Sequence, residues 1–153
     1  MIGYLDPHLE ASRCVASTVA VIPFWLSVND FLAEIKKSAA QIVLLMTWER
    51  PESLSDGVTT ANLAAVYNQA GAKLGAKVAP AGLAFARALR ERPDLALYSQ
   101  DGHPIIYATY LATRVLYGKI TGQIPVGDAY AGRSLTPEQR NSFERIAAET
   151  TGL

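Results

Sequence analysis

The chain has two histidines among its 153 residues. Histidine is the side chain whose ordinary pKa lets it take up and release a proton near neutral pH. His103 stands in the run Tyr98-Ser99-Gln100-Asp101-Gly102-His103-Pro104, two residues after a carboxylate and directly before a proline. A neutral imidazole there can serve as a general base, and a nearby carboxylate would orient the ring and stabilise the imidazolium. Taken alone, Asp-Gly-His-Pro is also what an ordinary turn contains, so the local pattern carries limited weight. His8 follows Asp6-Pro7 in a polar N-terminal segment and reads as a surface residue. Trp48, Glu49 and Arg50 follow an apolar run, at the end of a predicted strand where α/β sheets bind ligands. Trp48 fits pocket lining and simple packing equally well, and Glu49 with Arg50 reads as a solvated pair.

Other chemistries are poorly served. Cys14 is the single cysteine, so neither an internal disulfide nor a cysteine metal cluster is expected, and no cofactor or metal is implied. No Gly-x-Gly-x-x-G or P-loop lysine follows a predicted strand, which ranks phosphate or nucleotide binding last. Lys plus Arg and Asp plus Glu number 14 each. A net charge of zero argues against a nucleic-acid partner and favours self-association over electrostatic steering. The N-terminus MIGYLDPHLEASR lacks the basic region and apolar run of a secretory signal. Val15 to Leu26, the longest apolar stretch, is broken by Ser17, Thr18 and Pro23 and is too short to cross a bilayer. The expectation is a soluble chain with no membrane partner. A lone thiol is compatible with a cytoplasmic location without establishing it.

The elements that must position these residues follow from periodicity. Hydrophobic residues make up 50% of the chain and charged ones 18%, which suits one domain with a real core. Thr18 to Leu26 and Ile42 to Trp48 read as strands buried on both faces, as in a parallel sheet, with Pro23 weakening the first. Between them Phe31, Leu32, Ile35 and Ala39 recur at helical spacing, predicting a helix over Asn29 to Gln41. A polar loop from Glu49 to Thr60 is longer than most strand-to-helix connections. A helix is predicted over Ala61 to Leu74 with Gly75 as its stop, and a strand over Ala76 to Pro80. Further helices are expected from about Leu83 to Arg92, stopped by Pro93, and from about Ile106 to Ile120. Alternating strands and helices imply a parallel sheet covered on both faces. Gln123 to Ser134 reads as a connecting arm. Thr136, Pro137 and Gln139 form a capping-box helix start whose Phe143, Ile146 and Ala147 would pack on the body.

In this order the residues are similar to the C-terminal part of the SGNH (GDSL-like) serine ester hydrolases, from about Val19 to Gly122. Asp101-Gly102-His103-Pro104, then Thr109-Tyr110-Leu111-Ala112 and Val115-Leu116-Tyr117-Gly118, resemble the last motif block of that family. Ile42 to Trp48, Tyr67 to Ala76, Val78 to Ala84 and the spacing from Pro93-Asp94-Leu95 to Leu97-Tyr98 resemble it as well. The resemblance implies a three-layer α/β/α, flavodoxin-like domain that hydrolyses esters, often acetyl esters on carbohydrates. It implies a serine attacking the carbonyl, His103 taking its proton and Asp101 orienting His103. The family's oxyanion hole uses the serine's own N–H, a glycine and an asparagine side chain, donors aimed at charge that develops in the transition state.

The chain also departs from that pattern. The family's Gly-Asp-Ser block has no counterpart: Gly3-Tyr4-Leu5-Asp6 lacks a serine, and Ser12 and Ser17 follow no strand and sit in no glycine turn. The glycine block is missing too, so the fold's first strand and first helix are expected to be absent. Ser27-Val28-Asn29-Asp30 stands where Gly-x-Asn-Asp would, which makes Asn29 an oxyanion candidate, although a helix N-cap is the stronger reading. The family spacing is Asp-x-x-His, whereas Asp101 precedes His103 by two and Gln100 stands at the third position back. Two functions remain: an SGNH-type ester hydrolase, or its truncated C-terminal portion, acting on a small-molecule or carbohydrate ester; or a non-catalytic α/β binding or self-associating module, for which a homo-oligomer is expected. Weak or no turnover of simple esters follows from the missing nucleophile block.

Overall fold

An apolar, β-branched run cannot satisfy its backbone alone and seeks a neighbouring strand. In the computed structural model, which describes residues 32–35, 37–38, 40–124 and 135–153, that neighbour is supplied in parallel. Strand β1 (Val43–Leu45) pairs with β2 (Lys77–Ala79), in the register Val43 with Lys77, Leu44 with Val78 and Leu45 with Ala79. The Met46 N–H continues the ladder to the Ala79 carbonyl at 2.9 Å, and the Lys77 N–H to that of Ile42 at 3.0 Å. Parallel strands need a crossover, and α1 (Thr60–Leu74) lies between them in the chain. Helices α2 (Ala81–Glu91), α3 (Ile106–Thr121) and α4 (Pro137–Thr151) follow. Among the described residues the architecture is thus mixed α/β, mostly helical, with a two-stranded parallel sheet.

Sequence signals set the helix ends. Thr59 caps α1 by accepting from the Asn62 N–H at 3.2 Å, and Gly75, at φ 62°, closes it. Gly122 closes α3 in the same left-handed way. Helix α2 begins directly after Pro80, slightly earlier than predicted, and stops before Pro93, which disfavours helical geometry in the residue ahead of it. Thr136, Pro137 and Gln139 form the predicted capping box of α4: Thr136 Oγ1 accepts from the Gln139 N–H at 3.2 Å, and Gln139 Oε1 from the Thr136 N–H at 2.9 Å.

The core lies where α2, α3 and α4 meet beside β2. Phe85, Leu97, Leu111, Val115, Phe143 and Ile146 are fully buried there. Alanines at 79, 81, 84, 88, 108 and 147 allow the backbones to approach. Gly82 marks the closest approach: its N–H donates to the Met46 carbonyl at 3.1 Å, and a Cβ would collide with the Thr47 carbonyl.

Several expectations need correction. The apolar run at Ile42 to Trp48 is not buried on both faces; only Val43–Leu45 form the strand, and Leu45 is 37% exposed. Among the described residues the sheet has two strands and the face carrying Leu45 is only partly covered. The loop from Glu49 to Thr60 contains a 3₁₀ helix, Pro51–Asp56, started by its proline and closed by Gly57 at φ 74°. The helix predicted over Asn29 to Gln41 is helical at 32–35, with a turn at Lys37 and Ser38 and non-helical backbone at Ala40 and Gln41. The strand predicted over Thr18 to Leu26 lies outside the described residues, as do Ser12, Cys14, Ser17 and Asn29.

Candidate functional site

The segment from Leu97 to Ile105 folds back on itself. Tyr98 and Pro104 form an antiparallel bridge, and the Ile105 N–H donates to the Leu97 carbonyl at 2.9 Å. Inside it the Ser99 N–H reaches the His103 carbonyl at 2.9 Å and the Gly102 N–H the Ser99 carbonyl at 3.1 Å. Such a tight return needs a positive φ, which Gly102 supplies at 75°. Gly102 is buried beneath the Glu52 carboxylate, so a Cβ there would collide with it.

This turn brings the two predicted residues together. His103 Nδ1 lies 3.2 Å from Asp101 Oδ2, although both side chains are exposed, at 73% and 71%. Asp101 Oδ1 accepts from the Ser99 hydroxyl and, at 3.3 Å, from the His103 N–H. The Ser99 hydroxyl, followed by the His103 N–H, holds the Asp101 carboxyl below its usual range. The shorter Asp-x-His spacing therefore still allows contact, because the glycine turn curls the imidazole back over its own carboxylate. Nδ1 is the ring nitrogen nearest Asp101, the arrangement in which a donated Nδ1–H would leave the lone pair of the neutral ring on Nε2. Ser99 was not assigned a role from sequence, and its position two residues before an aspartate in a Gly-containing turn was the available signal.

Behind the turn, Trp48 stacks on Phe85 with ring centroids 4.5 Å apart, and Phe85 meets Tyr98 at 6.1 Å. Trp48 thus packs on the core and also lines an open groove of about 370 Å³. Thr47, Arg50, Ser53, Gly102 and His103 share that groove. Glu49 is not the solvated partner of Arg50. Its carboxylate accepts from the Thr60 N–H at 2.6 Å and from the Thr60 hydroxyl at 3.1 Å, anchoring the first turn of α1. Arg50 instead lies 3.6 Å from Glu52. The Tyr98 hydroxyl donates to the Glu49 carbonyl at 3.1 Å. Burial, with the Glu49 and Glu52 charges adding, pushes this phenol up to about 12.

The arrangement offers an oriented imidazole, a guanidinium and a serine along one groove. Among the described residues no group of three or more His, Cys, Asp or Glu is set to hold a metal ion. No helix among them is long and apolar enough to cross a membrane. Comparison with protein-family models, curated protein sequences and solved structures finds no match to this chain.

Proposed function

We propose that the chain is an SGNH-type ester hydrolase, or the C-terminal portion of one, built as a three-layer α/β/α domain with His103 as general base. The observation that carries this reading is Asp101 Oδ2 at 3.2 Å from His103 Nδ1, beside a groove at the C-terminal end of β1. A carboxylate on Nδ1 fixes the tautomer in which Nε2 accepts a proton, and it favours the imidazolium that results. Ligands of parallel α/β sheets bind at the C-terminal strand ends, where Trp48 and Arg50 stand. The substrate class is a small-molecule or carbohydrate ester, and the reaction needs no metal or cofactor.

The test is release of nitrophenol from p-nitrophenyl acetate by the full chain beside His103→Ala. Slow turnover is expected, falling about 100-fold without the imidazole. Equal rates in the two proteins would remove His103 from the reaction. A non-catalytic, self-associating module is the second reading, favoured by the exposure of Leu45 on β1 and Leu83 on α2. Absent turnover together with a dimer in sedimentation equilibrium would favour it.

A further inference from the structure

We infer that the groove beside His103 binds a small apolar monocarboxylate, with Arg50 taking the carboxylate. This goes beyond the ester-hydrolase reading, since it needs no nucleophile and concerns a ligand without an ester bond. The lining of the groove divides by chemistry. Trp48, Val58, Leu63 and Pro104 supply apolar surface, and Arg50 and His103 supply the groups that carry or take up positive charge. No carboxylate is among the lining residues, so the charge facing the groove is positive. A volume of about 370 Å³ lies at the small end of ligand pockets, which run from about 300 to 1,000 Å³. It suits one ring with a short chain.

The local structure presents Arg50 for this role. Its main chain is fixed by Ser53, whose hydroxyl donates to the Arg50 carbonyl at 2.9 Å and accepts from the Arg50 N–H at 3.3 Å. Among the described residues the guanidinium has one ion pair, from Nε to Glu52 Oε1 at 3.6 Å, which is beyond hydrogen-bond reach. The same Glu52 oxygen lies over Gly102 of the turn. So loose a contact leaves the guanidinium's donors to a ligand, and their planar fork matches the two oxygens of a carboxylate.

Exposure and charge narrow the ligand further. The Arg50 side chain is 47% exposed, and a cation so open to water holds an anion weakly by itself. Binding therefore needs the apolar wall as well, which selects an acid carrying an aromatic or branched group over acetate. One guanidinium beside Glu52 balances a single negative charge, which favours a carboxylate over a phosphate dianion.

The experiment is an NMR titration of the full chain with hydrocinnamate, read at the Trp48 indole N–H, beside its neutral amide, acetate and phenyl phosphate. A saturable shift with Kd on the order of 1 mM is expected for hydrocinnamate. The amide and acetate should bind about tenfold more weakly or worse, each lacking one half of the recognition. Arg50→Gln should weaken hydrocinnamate about tenfold. Arg50→Lys should weaken it less, because the ammonium keeps the charge and loses the fork. Glu52→Gln removes the competing anion and should tighten binding about twofold, a direction that damage to the fold does not give. Equal binding of acid and amide, tighter binding of phenyl phosphate, or no saturation by about 10 mM overturns the inference. So does an unchanged Kd in Arg50→Gln or weakened binding in Glu52→Gln. Turnover of uncharged p-nitrophenyl acetate is a separate readout, so the ester-hydrolase reading and this one stand or fall independently.

Discussion

Two carboxylates anchor the ends of one stretch of chain in opposite ways. Asp101 lies open to solvent in the turn before α3, held by Ser99, His103 and the conformation of Gly102. Glu144, on α4, is 4% exposed and accepts from the Tyr110 hydroxyl of α3 at 2.9 Å. Arg114, 6% exposed, sets its guanidinium 4.6 Å from the centre of the same tyrosine ring. Water competes for the first carboxylate and is excluded from the second. The turn is therefore free to present a proton acceptor at little structural cost, whereas the α3–α4 contact has polar groups that must remain matched for the domain to fold. Function and stability are separable by mutation along this one segment.

The largest effect on folding is expected at the buried end. Glu144→Ala leaves the Tyr110 hydroxyl without its acceptor and takes a buried carboxylate from the polar set that meets at Tyr110, which also includes the buried Arg114 guanidinium. Loss of one member of such a set costs about 3–5 kcal/mol. Urea denaturation should show that loss, while the turnover per folded molecule stays unchanged. A stability change under about 0.5 kcal/mol would mean that water reaches this contact and that the contrast with the turn is false.

Next in size is Gly102→Ala. The substitution puts a Cβ at φ 75° and against the Glu52 carboxylate, a cost of about 1–3 kcal/mol. Glu52→Ala in the same chain removes the collision and leaves the conformational strain, so the double variant should recover part of the loss. Full recovery would mean that the positive φ is not what holds the turn.

Much of this division was legible before any coordinates, and the remainder was hidden for definite reasons. Residues that act within one turn were readable: Thr136 with Gln139, Gly75, and the face of Phe143, Ile146 and Ala147. Asp101 with His103 belongs to the same class, since two residues and a glycine are all that contact needs. Glu49 was misread because its partner, Thr60, is eleven residues ahead, across a loop whose 3₁₀ helix had no apolar period to announce it. Leu45 was expected to be buried because its neighbours are apolar, but burial depends on what covers the sheet. Tyr110, Arg114 and Glu144 look like solvated helix residues until α3 and α4 are set side by side. The groove joins residues 47 to 63 with residues 102 to 104, and no spacing rule connects those stretches.

A smaller effect tests the boundary between the two regions, at Tyr98. Its phenol is held up at about 12 by burial first and by Glu49 and Glu52 second. A phenol whose folded pKa is raised favours the folded state fully below the unfolded value, about 10. That contribution is lost as pH rises from there through the folded value. Ultraviolet titration of the folded chain should therefore show a late-ionising tyrosine that is missing in Tyr98→Phe. Unfolding by base should begin at higher pH in Tyr98→Phe, because the penalty for keeping a phenol neutral is gone. Identical base-unfolding curves would place Tyr98 with the solvent-open turn instead of the core.

The smallest effect on stability is expected at Asp101, and it is also the most informative about function. Asp101→Asn keeps the size of the side chain and an oxygen for the Ser99 hydroxyl, but removes the charge. The Ser99 hydroxyl, the largest cause, and the His103 N–H depress the Asp101 carboxyl, so its contribution is present above the unfolded carboxylate value and falls away as acid titrates it. Because the side chain is 71% exposed, solvent screens that contribution, and urea midpoints at pH 7 should differ little between the two proteins. Ester turnover should nevertheless fall about tenfold or more, since an amide can donate to Nδ1 and hold the ring in the wrong tautomer. Unchanged turnover in Asp101→Asn, with His103→Ala still inactive, would mean that solvent alone sets the imidazole. A lost urea midpoint would show instead that the turn carries stability, and the separation between the two ends of the segment would fail at the residue where it is expected to be cleanest.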